Sequence, residues 1–235
     1  VELAVGSITG LGKTEIVTGQ DRGGLARVFT VNPGVGVNST AIRQLRPFGA
    51  AFSSGITVAT ADIGTFSGKT LTAASPDGIT EMVFGSGPGI PATVKTYNGV
   101  PSTPSLVNAL HPISTSYSRG VSVARLPGAA GAADGILVSA GPQGGAKVET
   151  YRGISKVPAA AFAAYGGAAR KADVFTAALS ETEIFSVQGQ YGATPSMKSP
   201  GVRKNTAITG GTASTLRGTG PTALNPPLRV AILRK

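Results

Sequence analysis

Two Gly-Lys-Thr triplets, Gly12-Lys13-Thr14 and Gly68-Lys69-Thr70, are the first residues of this chain to invite a chemical reading, because a lysine and a hydroxyl behind a glycine can hold a nucleotide's phosphates and metal ion. A phosphate loop needs a second glycine five residues earlier, where the chain has Ser7 and Ile63. Both triplets also fall in the same loop of an internal repeat and lie between strands, so neither opens the helix whose N-terminus would receive the anion. The single histidine, His111, precedes Pro112 in what reads as a loop. It has no second histidine with which to share a metal, and no Gly-x-Ser-x-Gly elbow accompanies it for a Ser-His-Asp site. Glu181 and Glu183 alternate along an expected strand and would share a face, as general acid and base work requires, although a solvent-facing pair is the commoner outcome. Cysteine is absent, which removes thiol nucleophiles, thiolate metal sites and disulfides. We therefore expect no catalytic residue and no enzyme.

The chemistry that remains is charge. The chain carries a net charge of +10, unevenly placed: no Asp or Glu follows Glu183, whereas Lys198, Arg203, Lys204, Arg217, Arg229, Arg234 and Lys235 do. Such a segment attracts an acidic protein surface or an anionic glycan through screened Coulomb forces, and these seven residues are the expected partner-binding set. Nucleic acid is not the expected partner, because the sparse aromatics do not interleave with the basic residues into a stacking platform.

The elements that must carry these residues are short. With 34 Gly and 16 Pro against 14% charged residues, the composition favours turns and strands over long helices, and an apolar fraction rich in Ala and Val suits tightly stacked sheets. An internal repeat organises them. Ile16-Val17-Thr18-Gly19 running to Ala26-Arg27-Val28-Phe29 is echoed by Met82-Val83-Phe84-Gly85 running to Thr93-Val94-Lys95-Thr96-Tyr97, and again from Leu137-Val138-Ser139-Ala140 to Lys147-Val148-Glu149-Thr150-Tyr151. Each copy predicts a hairpin: an apolar strand, a Gly-rich turn and an alternating strand ending in an aromatic. Upstream, Gly55-Ile56-Thr57-Val58-Ala59 matches Gly120-Val121-Ser122-Val123-Ala124, with weaker versions at Val1-Glu2-Leu3-Ala4-Val5 and Asp173-Val174-Phe175-Thr176-Ala177, which marks four repeat starts.

A further apolar stretch such as Ile42-Arg43-Gln44-Leu45 or Ala160-Ala161-Phe162-Ala163 completes about four strands per unit. The expected fold is all-β, a small β-propeller of four or five four-stranded blades in one domain, with repeats over about 1–55, 56–120, 121–173 and 174–235. The last unit is diverged. Thr206-Ala207-Ile208-Thr209 and Leu228 to Leu233 are expected extra strands, the latter closing the ring or pairing with a partner, and Gly210 to Thr215 reads as a loop.

The strand Thr-Glu-Ile-Val-Thr-Gly, the turns Gly85-Ser86-Gly87-Pro88-Gly89 and Ala140-Gly141-Pro142-Gln143-Gly144-Gly145, and the Tyr-x-Gly turns resemble the FG-GAP and VCBS-type repeats of integrin-α-like propellers in secreted bacterial proteins, over roughly residues 1 to 200. The resemblance implies a cell-surface, extracellular or periplasmic setting and a role in adhesion, glycan binding or assembly. It also implies a calcium loop of alternating acids. Here the chain departs, with Ser7-Ile8-Thr9-Gly10-Leu11-Gly12 and Pro127-Gly128-Ala129-Ala130-Gly131 in that place. Only Asp62 and Asp77, flanking an inserted loop, remain as calcium candidates, and acids there are more often turn formers.

No apolar run approaches the roughly 18 residues that cross a bilayer as a helix, so no membrane span is expected. The start at Val1, with neither an initiator Met nor a signal-peptide pattern, reads as a processed or excised product. The expected function is a non-catalytic interaction or structural module that binds a protein partner or joins a larger complex, with a lectin-like glycan binder as the alternative.

Overall fold

The computed structural model describes residues 1–164, 174–180, 183–188, 202–206 and 214–216. Every regular element among them is a strand. The first sheet holds β1 (Glu2–Gly6), β2 (Thr14–Gly19) and β3 (Ala26–Asn32), with β4 (Gly36–Val37) and β5 (Arg43–Leu45) both paired to β3. In the second, β6 (Ile56–Ala61) is followed by an inserted hairpin, β7 (Thr65–Ser67) with β8 (Thr70–Ala73), and then by β9 (Glu81–Ser86), β10 (Val94–Asn98) and β11 (Ser105–Leu110). The third is β12 (Val121–Leu126), β13 (Gly135–Ala140), β14 (Lys147–Arg152) and β15 (Ala160–Ala163). The fourth is β16 (Val174–Ser180), β17 (Glu183–Gln188), β18 (Val202–Thr206) and β19 (Ser214–Leu216). All pairings among the described residues are antiparallel, and successive strands are neighbours in each sheet, apart from the β7–β8 insertion and the second partner of β3.

The four repeat starts read from sequence are β1, β6, β12 and β16, and the three hairpins are β2–β3, β9–β10 and β13–β14. The diverged unit differs in detail. Its third strand runs over Val202–Thr206, because β17 pairs Ser186 with Arg203 and Glu183 with Thr206. Ser214 and Thr215, expected in a loop, pair with β18 as part of β19, since a neighbouring strand edge outweighs a Gly/Thr/Ser composition. Residues 207–209 and 228–233 lie outside the described residues.

Strand side chains alternate between two faces, and the sheets use the two faces differently. The forward face of each sheet packs on the rear face of the next. Val17 and Val28 of the first sheet meet Val58, Met82 and Phe84 of the second. Ala59 and Val83 meet Val123, Ile136, Val138 and Tyr151 of the third, and Leu137 and Val148 meet Val174 and Ile184 of the fourth. Cross-strand register puts alanine at one forward position in every first strand: Ala4, Ala59, Ala124 and Ala177. Beside it stand Gly19 and Gly85. A Cβ on Gly85 would lie 2.8 Å from the Val121 carbonyl oxygen, and one on Gly19 would lie 2.8 Å from Val58 Cγ1. At these glycines the forward faces of the first two sheets are flat against the bulky rear faces that follow, and the first strands β1, β6, β12 and β16 pack each on the next. Thr60 Oγ1 donates to the Val5 carbonyl at 2.7 Å and Thr57 Oγ1 to the Val121 carbonyl at 3.0 Å across these contacts. No comparable packing joins β16 back to β1.

Candidate functional site

The loops that follow the first strands share one polar device. Two residues past the end of β1, β6 and β12, the amides of Ile8, Ile63 and Gly128 each donate to a carboxylate at the start of the second strand. Ile8 N donates to Glu15 Oε2 at 2.8 Å, Ile63 N to Glu81 Oε2 at 3.1 Å, and Gly128 N to Asp134 Oδ1 at 3.2 Å. Glu15 also accepts from Thr9 Oγ1 at 2.6 Å. All three acids are buried, so each holds a loop amide that would otherwise lack a partner away from water.

The second and third sheets join at this end through their acids. Asp134 Oδ2 accepts from the Asp62 amide at 2.9 Å and from Arg125 Nε at 2.6 Å, while Arg125 Nη2 reaches Asp134 Oδ1 at 3.0 Å. The Asp62 carboxylate accepts from the amides of Gly78 at 2.7 Å and Asp77 at 3.3 Å, which closes the base of the β7–β8 insertion. Burial pushes the Asp62 carboxyl up; the Gly78 and Asp77 amides oppose that shift, and the negative charges of Asp77 and Asp134 add to it. Glu81 goes further. Burial, with the charges of Asp62 and Asp77 behind it, pushes its carboxyl up to about 8 against the pull of the Ile63 amide. A carboxyl near 8 has the strength of a general acid, but Glu81 is sealed from solvent and its oxygen is turned onto the loop backbone.

A cleft of about 340 Å³ opens beside these loops, lined by Ile63, Leu71 and Ala74 on one side and by Ala133, Gly153 and Ile154 on the other. A second polar network lies on the outer strands. Glu149 accepts from the Ile113 amide at 2.8 Å and from the Tyr151 hydroxyl, and pairs with Lys147 Nζ at 2.7 Å. Burial raises the Glu149 carboxyl, but Lys147, Tyr151 and Ile113 outweigh it and hold the group below its ordinary value. Tyr151 is pushed up, by burial and by the carboxylate it donates to. In the preceding interface Lys95 Nζ and Tyr97 Oη take the corresponding place, donating to the Pro47 carbonyl at 2.9 and 3.2 Å.

The residues singled out in the sequence are scattered. His111 follows β11, its Nδ1 lying 3.2 Å from both Thr93 Oγ1 and the Ala92 carbonyl, with no carboxylate hydrogen-bonded to it. Neither Gly-Lys-Thr triplet opens a helix: Thr14 begins β2, and Gly68 and Lys69 form the tip of the β7–β8 hairpin. Glu183 opens β17, and Glu181 lies outside the described residues. Asp62 and Asp77 do come together, yet both oxygens of Asp62 are turned onto the amides of Gly78 and Asp77, and Asp77 Oδ1 accepts from the Ile79 amide at 2.9 Å. These residues do not fit a calcium loop, and no group of three or more metal-ligating side chains that could hold an ion occurs among the described residues. Of the basic set, Arg203 and Lys204 lie on β18, while Lys198, Arg217, Arg229, Arg234 and Lys235 lie outside the described residues.

The functional signal that a reading of single motifs misses is the acid ahead of each second strand. Thr14-Glu15-Ile16, Thr80-Glu81-Met82 and Thr182-Glu183-Ile184 share it, with Asp134-Gly135-Ile136 as the shifted form, so alignment of the repeats alone could have found it. No family model matches this chain, and no curated protein matches it significantly.

Proposed function

We propose that this chain is a non-catalytic interaction and scaffolding module of β-propeller type, working at a cell surface or outside the cell. The observation that carries this reading is the carboxylate–amide clamp repeated in three successive sheets. Acids that stand where ligands or reactive groups would emerge are used to fix loop backbone, which makes the loop end a rigid platform. The serial antiparallel sheets of four or five strands, with first strands side by side, support the propeller reading. A protein partner docks on the platform or on the basic residues from Lys198 to Lys235, where an acidic surface is the complementary chemistry.

The test is capture from the native source with the intact chain as bait, beside a variant in which those seven basic residues are changed to Gln. A discrete protein partner, retained by the parent chain and lost at least about tenfold by the variant at physiological salt, is the expected result. A bait that retains no protein above background overturns the reading, and retention of polysaccharide alone replaces it with a lectin.

A further inference from the structure

The cleft beside the clamp loops lies where the second interface between sheets departs from the first. Met82 stands opposite Tyr97 in the second sheet as Ile136 stands opposite Tyr151 in the third, which fixes the correspondence of the two repeats. Counted from these pairs, Ile79 corresponds to Ala133 and Val100 to Ile154. In the first interface Ile79 and Val100 close over the preceding sheet's loop: a Cβ on Gly10 would lie 3.1 Å from Ile79 Cδ1 and 3.6 Å from Val100 Cγ2. In the second, Ile154 keeps the place of Val100, but alanine stands in the place of Ile79, and Leu71 and Ala74 form the opposite wall. What an isoleucine covers in the first interface is open in the second, as a cleft of about 340 Å³. Charge changes in the same turn. Asn98 and Ser102 of the second sheet correspond to Arg152 and Lys156 of the third, both exposed. Arg152 lines the cleft, and Lys156 follows Ser155, another lining residue, in a turn closed by the Ser155 amide donating to the Arg152 carbonyl at 3.0 Å. The neighbouring acids are engaged elsewhere: Asp62 and Asp134 are buried, with their oxygens on amides and on Arg125, and Asp77 turns Oδ1 onto the Ile79 amide. The lining itself holds one cation and no carboxylate.

We propose that this cleft is the docking site for an aliphatic side chain of a protein partner, flanked in the partner's chain by carboxylates that meet Arg152 and Lys156. The isoleucine of the first interface indicates what fits: a branched aliphatic group entering beside Ile154, between Ala133 and Leu71. Burying that group supplies the affinity, and the carboxylates at the mouth supply orientation and a faster encounter. Opening of the apolar space and gain of cations at its mouth occur together in the third sheet, and an acidic segment with an aliphatic anchor uses both. The proposal rests on the reading of the loop end as a docking platform and names a place on it and the partner's chemistry.

The probe is the blocked peptide Glu-Asp-Leu-Asp-Glu, titrated into the intact, isotope-labelled chain and followed by NMR. The expected result is a Kd of about 1 mM or tighter, with shifts centred on Ile63, Ala133 and Ile154. Replacing the probe's leucine with alanine should weaken binding at least about tenfold, and so should Ala133→Ile, which restores the residue of the first interface. Arg152→Asn/Lys156→Ser, the residues of the second sheet, should weaken it by a similar factor and remove most of its salt dependence. The variant with seven basic residues changed to Gln should bind the probe as the parent does. No shift at about 5 mM probe, equal binding of the leucine and alanine probes, or parent-like binding by Ala133→Ile each overturns the proposal. Hexanoate bound as tightly as the peptide also overturns it, in favour of a small amphipathic carboxylate. A chain that ignores the probe yet captures a partner rejects the cleft and leaves the platform reading standing; a chain that binds the probe through the cleft but captures no protein fails that reading alone.

Discussion

Replacing Glu81 with Gln tests the clamp directly, because the amide keeps an oxygen for the Ile63 N–H and cannot titrate. Glu81 titrates at about 8 in the folded chain and at 4.5 when unperturbed. Below 4.5 both states hold the proton. Between the two values the unfolded chain releases it while the folded chain keeps it, so stability falls as pH rises through that window and levels off above about 8. One proton gives a slope of up to about 1.4 kcal/mol per pH unit, and the whole interval amounts to roughly 3–5 kcal/mol. That is a large part of the roughly 5–15 kcal/mol that holds a domain folded, so the effect is measurable. Denaturant midpoints of the parent and Glu81→Gln at pH 5, 6, 7, 8 and 9 supply the assay. The difference between them should be small at pH 5 and grow in favour of Gln toward pH 9. Glu149, held low by its partners, acts in the opposite sense, giving stability above its unfolded value that is lost as pH falls; being common to both proteins, it cancels in the difference. Parallel stability curves for parent and variant would refute the reasoning.

Three further outcomes follow from the same contacts. Asp134→Ala removes acceptors from the Asp62 and Gly128 amides and from Arg125, and should lower the unfolding free energy by about 2–4 kcal/mol, discounted because Arg125 is largely exposed; a loss below about 1 kcal/mol by chemical denaturation would contradict it. Gly85→Val sets a branched side chain against the Val121 carbonyl and should cost at least about 1–3 kcal/mol, read as a fall in Tm, whereas an unchanged Tm would mean the second and third sheets separate easily. Millimolar calcium should leave Tm unchanged, since both oxygens of Asp62 and Oδ1 of Asp77 already accept from amides; a rise of several degrees would reveal an ion site.

The sheets were legible because their signals are local. A glycine-rich reversal between two apolar runs defines a hairpin within some twenty residues, and all three expected hairpins and four first strands formed. The outer strands were less so: β4 and β11 carry weak patterns, and β18 and β19 take their place from the edge offered by β17 rather than from composition. The clamps were hidden for a different reason. Glu15 and Glu81 each open an apolar strand and look like solvent-facing ends; only the turn of the chain back over them brings the Ile8 and Ile63 amides within reach. Asp62 and Asp77 were found as a pair, but their use in closing an insertion depends on where the insertion begins and ends.

The resemblance to calcium-loop repeats and the clamp bear on one physical problem. A loop leaving a first strand and returning to the second carries amides that point inward, away from water, and something negative must meet them or meet a cation that organises them. In this chain a carboxylate from the adjacent strand meets them directly, which buries the acid among its own kind, as Glu81 lies among Asp62 and Asp77. The third sheet shows a way of easing that conflict. Its acid has moved one residue back, to Asp134, where Arg125 from the neighbouring strand neutralises it while it serves amides in both sheets. The first and second sheets have no such arginine: the place of Arg125 is Val5 in one and Thr60 in the other. An arginine at Thr60 would not do the same for Glu81: Thr60 pairs with Met82 while Glu81 pairs with Ala61, so the two side chains leave opposite faces of the sheet, whereas Asp134, two residues before Ile136, stands on the face of Arg125. The one-residue shift of the acid is what puts it within an arginine's reach.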